Sequence, residues 1–152
     1  MRFKQLSDVL DWAQALHHKL AELYRDRAGS HTQDRIGMLL TYLAEHENAL
    51  ALALEHFEED ADRRLVHTWY AQTPDIPLPD SFDELCETLN CETSAGLVAL
   101  TLHFHDLLAK LYSALRDASP TPELVEVMDN LASMETREAM RTVRDAERLE
   151  DI

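Results

Sequence analysis

The sequence predicts an all-α protein, a four-helix bundle made of two related helical hairpins joined by a long crossover. Three observations lead there. Four long segments carry apolar residues at alternating steps of three and four, the spacing that keeps one face of a helix against its neighbours. The second half of the chain repeats the first at an offset of 88 positions. The 152 residues include only three glycines and five prolines, with 45% hydrophobic residues, a composition suited to a helical globule with its own core.

The first helix is expected over about 7–28, with Ser7 or Asp8 as N-cap and Gly29 ending it. Its stripe runs Leu6, Leu10, Ala13, His17, Leu20, Tyr24. The second is expected over about 33–60, beginning near Thr32, with Ile36, Leu40, Leu43, Glu47, Leu50, Leu54 and Phe57 in register. A third follows Thr93 or Ser94 over about 94–117 and ends before Pro120, with Val98, Thr101, His105, Leu108, Tyr112 and Leu115 in line. The fourth, about 122–150, takes Thr121 as cap and Pro122 at its first position, where a missing N–H costs nothing. Its stripe is Leu124, Met128, Leu131, Glu135, Glu138 and Thr142.

Short links join helices one to two and three to four, so each pair reads as an antiparallel hairpin. The crossover, about 62–92, holds Trp69, Tyr70 and the Pro74, Pro77, Pro79 cluster. It ends in Ser81-Phe-Asp-Glu84, a capping-box pattern opening a short helix that carries Cys86. Some thirty residues can run the length of a bundle at about 3.3 Å each, and one long crossover is the connectivity of ferritin-like bundles.

At the offset of 88, His17 meets His105, Leu20 Leu108, Ala21 Ala109, Leu23 Leu111 and Tyr24 Tyr112. Leu43 meets Leu131, Ala44 Ala132, Glu47 Glu135 and Ala51 Ala139, without a gap. The matches fall on or beside the inward stripes. This is an internal duplication, and it implies approximate twofold symmetry.

The net charge of −15 repels nucleic acid and favours solubility. No apolar run approaches the roughly 20 residues of a membrane span, and the first residues lack a secretory leader's pattern, so the expected location is cytoplasmic. Cys86 and Cys91 are too few and badly spaced for a zinc ribbon or rubredoxin-type centre and read as reduced structural thiols. No nucleotide, haem or flavin motif is present. His18, His46, His56 and His103 read as surface or rim residues, with His46 the one plausible stand-in ligand.

The residues that carry chemistry interrupt the stripes. His17, Glu47, His105 and Glu135 each sit near the middle of a helix on its inward face, and Glu138 adds another on the last helix. An unpaired buried carboxylate costs several kcal/mol, so these groups must meet partners at one level of the bundle. Metal is one answer, with His17, Glu47, His105, Glu135 and Glu138 as ligands. Mutual imidazolium–carboxylate pairing is the other.

The pattern resembles the rubrerythrin branch of the ferritin-like di-iron family. There a carboxylate precedes a tyrosine by seven on helices one and three, and Glu-x-x-His lies on helices two and four. His17 to Tyr24 and His105 to Tyr112 reproduce the step, and LAEHENAL (43–50) and LASMETRE (131–138) resemble the Leu-Ala-x-x-Glu-x-x-His segments. The resemblance implies a metal site bridged by Glu47 and Glu135. It implies iron first, with manganese or zinc as alternatives, and a small oxidoreductase acting on iron or oxygen species.

This chain departs from the pattern. Histidines stand where the family has its first and third carboxylates, and Leu50 and Glu138 stand where it has histidines. The half served by His105 and Glu138 is thus the better furnished. The departures weigh against full ferroxidase or peroxidase chemistry. They leave open a non-catalytic bundle with a degenerate site, acting as a structural or partner-binding protein, and an oligomeric storage or delivery module. A homodimer is expected from extra apolar residues outside the stripes, Leu16, Leu39 and Leu52 among them.

Overall fold

A computed structural model describes residues 3–30, 34–74 and 81–151 of the chain. Thr32, Pro77 and Pro79 lie outside those residues. Six helices account for the order: α1 (Leu6–Ala28), α2 (Arg35–Asp60), α3 (Arg63–Val66), α4 (Phe82–Leu89), α5 (Ser94–Asp117) and α6 (Pro122–Glu150). The long ones are α1, α2, α5 and α6. Adding 88 to the bounds of α1 and α2 gives those of α5 and α6 to within two residues.

The caps explain where the helices start. Asp34 accepts from the Gly37 N–H at 2.7 Å, Thr93 from Gly96 at 3.0 Å and Thr121 from Leu124 at 3.2 Å. At α1 the chain departs from expectation. Gln5 is the N-cap, and Asp8, in the first turn, accepts from the N–H groups of Lys4 and Gln5 at 2.9 and 3.0 Å. The acidic side chain still satisfies orphan donors, but from inside the helix, where it also suits the positive end of the dipole.

End contacts fix the direction of each helix. Arg27, at the end of α1, pairs with Glu92 just before α5, and Ser94 and Arg35 both reach Glu150 at the end of α6. The C-termini of α1 and α6 therefore share one end of the bundle with the N-termini of α2 and α5. At the other end the crossover leaves α2, turns through α3 and pairs with the N-terminus. The Leu6 N–H donates to the Thr68 carbonyl at 3.2 Å and the Tyr70 N–H to that of Lys4 at 2.9 Å. Helix α4 packs on α5, opening beside its middle, where Phe82 stacks on Phe104 with ring centres 4.8 Å apart.

The inward stripes are the core. Leu6, Leu10, Leu20, Leu40, Leu43, Leu54, Leu108, Leu115, Leu124 and Met128 are all buried. The buried set is wider than the stripes: Leu16 and Leu39, expected to face a second copy, are buried within the chain, and Leu52 alone of that trio is exposed. Trp69 is exposed, whereas Tyr70 is buried. Among the described residues no helix is long and apolar enough to cross a membrane.

Candidate metal centre

Position 17 is near the middle of α1, 47 of α2, 105 of α5 and 135 of α6. Because the four long helices share one span, mid-helix residues on inward faces meet at one level. Their side chains are sealed from water, with 0 to 2% of each exposed.

The four side chains form a closed ring. His17 Nδ1 lies 2.5 Å from Glu47 Oε2, and His17 Nε2 lies 3.0 Å from Glu135 Oε1. His105 Nε2 lies 2.6 Å from Glu47 Oε1, and His105 Nδ1 lies 3.1 Å from Glu135 Oε2. The ring obeys the duplication atom by atom. Each Nδ1 faces the glutamate of its own hairpin, and each Nε2 faces the glutamate of the other. The imidazoles meet edge to face, 5.6 Å between centres.

Charge follows from this geometry. Burial alone would strip the proton from His17, but Glu47 and Glu135 outweigh it and raise its pKa to about 9. His105 is raised well above its ordinary value by the same contest. Burial would likewise keep Glu47 protonated, yet the two imidazoliums push it down to about 2, and Glu135 is also lowered. The ring therefore rests as two imidazoliums and two carboxylates, with four N–H groups facing four oxygens and no net charge.

A tyrosine flanks the ring on each side. Thr101 donates its hydroxyl to the Leu97 carbonyl at 3.0 Å, so the 2.6 Å contact with Tyr24 has the phenol as donor. Tyr112, equally buried, finds no hydrogen-bond partner among the described residues; the position matching Thr101 is Ala13. His105 Nδ1 and Glu135 Oε2, although close, are not aligned for a hydrogen bond.

Glu138, expected as a ligand, stands apart. Its side chain is 18% exposed and turns to His46, 3.6 Å away, and to Arg141 at 3.3 Å. A third carboxylate would unbalance a ring already neutral, and the bundle's flank offers Glu138 the Arg141 guanidinium and water. The expectation that Glu138 enriches one half of the site thus has no counterpart in the ring. His18, His56 and His103 are exposed, and His46 is half-buried beside Tyr42.

The donor set suits a metal ion. His17, Glu47 and His105 each offer a ligand atom, all within 4.8 Å of one another. Imidazole nitrogen with carboxylate oxygen is a set that zinc, iron and manganese accept. No family model, curated protein or solved structure matches this chain.

Proposed function

We propose that the protein is a ferritin-like, rubrerythrin-related bundle whose ring holds a single divalent transition-metal ion, iron, manganese or zinc. The observation that carries this reading is the convergence of two imidazoles and two carboxylates, one from each long helix, in a sealed core. With neutral imidazoles the four groups carry two negative charges, which a divalent ion balances. The symmetry suggests which atoms serve. The Nε2 and Oε1 atoms face each other across the hairpins, while His17 Nδ1 is hydrogen-bonded to its own hairpin's glutamate and His105 Nδ1 lies 3.1 Å from its own, the kind of partner that fixes tautomer and orientation in metal-binding histidines. Ligands about 2.0–2.1 Å from a tetrahedral ion lie roughly 3.3 Å apart, so the facing Nε2–Oε1 pairs, at 3.0 and 2.6 Å, would each have to open by under an ångström.

Four ligands favour one ion over a bridged pair, since Leu50 supplies no donor and Glu138 faces elsewhere. A four-coordinate ion walled from water fits holding a metal better than turning over a substrate. An oxidoreductase acting on iron or oxygen species would need an open coordination position.

A second reading rests on its own observation: every ring nitrogen already faces an oxygen at 2.5–3.1 Å. In that reading the quartet is a structural network fixing helix register, and the protein is non-catalytic. Metal analysis separates the two. Chelator-treated protein dialysed against zinc, manganese or anaerobic ferrous ion should retain about one ion per chain, and the Glu47→Gln variant should retain none at this site. Equal retention by the variant would contradict the metal reading, as would no retention by the wild type.

A further inference from the structure

Both cysteines of the chain lie at the end of α4, Cys86 within the helix and Cys91 just beyond its cap. Helix α4 ends at Asn90 in the left-handed conformation, φ 59°. There the Cys91 N–H donates to the Cys86 carbonyl at 3.0 Å and the Asn90 N–H to the Glu87 carbonyl at 3.3 Å. Those two bonds define the Schellman ending, a six-residue wrap whose first and last side chains are brought into contact over the helix end. In such endings an apolar pair frequently fills the two places. Here they are both thiols, each buried, at 2% and 4% exposure.

The wrap is held from outside as well. Gly96, in the first turn of α5, lies so close that a Cβ there would come within 1.9 Å of the Asn90 carbonyl oxygen. Thr93 adds a hydroxyl bond to the same oxygen at 2.9 Å. The backbone therefore holds the two cysteines together whatever their oxidation state.

We propose that Cys86 and Cys91 form a reversible intrachain disulfide, a modification site that clamps the end of α4. A disulfide needs α-carbons about 4.4–6.8 Å apart, and the 3.0 Å bond from the Cys91 N–H to the Cys86 carbonyl ties the two backbones together across the wrap. The oxidant is a low-molecular-weight disulfide. One cysteine, as thiolate, attacks it, forming a mixed disulfide and expelling one small thiol. The second cysteine then attacks the bonded sulfur, closes the protein disulfide and expels the other small thiol. Two protein thiols are oxidised, one small disulfide is reduced to two thiols, and both cysteine protons leave with them. Burial and the neighbouring Cys86 sulfur raise the Cys91 pKa, so thiolate is scarce and closure is slow. The telling quantity is therefore an equilibrium.

The full chain should be equilibrated in glutathione buffers of graded ratio, quenched with acid and alkylated, and the bridged fraction read by mass. The equilibrium constant for closure should be at least about tenfold greater in folded protein than in concentrated urea, where only the short loop brings the thiols together. The product should be monomeric, lighter by the two lost hydrogens and restored by dithiothreitol. A Gly96→Ala variant, which pushes the Asn90 carbonyl away, should lower the folded constant while leaving the urea value unchanged. A folded constant equal to or below the urea value would overturn the proposal, as would glutathione adducts or interchain dimers in place of the bridge.

Discussion

In the α1–α2 hairpin, the Tyr24 hydroxyl donates to Thr101, whose own hydroxyl donates to the Leu97 carbonyl. His17 is hydrogen-bonded through both ring nitrogens. For the α5–α6 hairpin, the residue that the duplication matches to Thr101 is Ala13, and the Tyr112 hydroxyl has no hydrogen-bond partner among the described residues. His105 faces its own glutamate without an aligned bond. The glutamates differ too. Glu47 lies 2.5 and 2.6 Å from the two imidazoles, whereas Glu135 lies 3.0 and 3.1 Å away. The duplication therefore preserves the four charged groups while the layers around them drift. What holds the ring is charge balance, which tolerates no single change. A neighbouring hydroxyl can be lost at the cost of one hydrogen bond.

The largest test of that contrast is to remove one charge from each hairpin in turn. Glu47→Gln should destabilise metal-free protein by roughly 3–5 kcal/mol, because an imidazolium is left buried without its partner. Glu135→Gln should cost less, since its contacts are longer. Urea melts of both variants check the order, and equal costs would erase the distinction between the glutamates.

The same difference should depend on pH. The histidines' folded pKa values are raised, so their contribution is complete below the ordinary 6.5 and is lost as pH climbs, for His17 through about 9. The glutamates' values are lowered, so theirs is complete above the ordinary 4.5 and is lost as pH falls, for Glu47 through about 2. The stability gap between wild type and Glu47→Gln should be widest between about pH 4.5 and 6.5 and narrow on both sides. A gap that is flat from pH 5 to 9 would mean that the histidines are not charged.

Smaller effects come from the flanking layers. Thr101→Ala should orphan the Tyr24 hydroxyl and cost about 1–3 kcal/mol. Its mirror image, Ala13→Ser, should give Tyr112 a partner and gain roughly 0.5–1.5 kcal/mol, provided the hydroxyl fits the buried site. Thermal melts of both, compared with Tyr112→Phe, show whether the unpaired phenol is a real weakness. If Tyr112→Phe destabilises as much as Tyr24→Phe, the asymmetry is absent.

Much of this was legible in the sequence. The stripes and the offset of 88 located four helices and put His17, Glu47, His105 and Glu135 on inward faces. A charged residue at the centre of an apolar stripe has only its counterparts to meet. Glu138 was misjudged because a stripe has edges: a residue three beyond Glu135 lies far enough round the helix to reach His46 and Arg141 on the flank. Leu16 and Leu39 were misjudged for the converse reason, as a bundle helix buries more than its narrow seam. The orphan phenol had a signal in the sequence. The same offset aligns Thr101 with Ala13, so a hydroxyl partner for one tyrosine is a methyl for the other. The atom-level closure of the ring had none, because spacing fixes which residues meet and not which nitrogen faces which oxygen.

If the proposed metal reading holds, the ring exchanges two imidazolium protons for one divalent ion. Calorimetric titration of zinc into metal-free protein near pH 7, repeated in two buffers of different ionisation enthalpy, counts the protons released per ion bound. The expected count is close to two, one from each histidine, with about one ion per chain. Binding that releases no protons would place the metal on surface carboxylates, which are already ionised, and would contradict it.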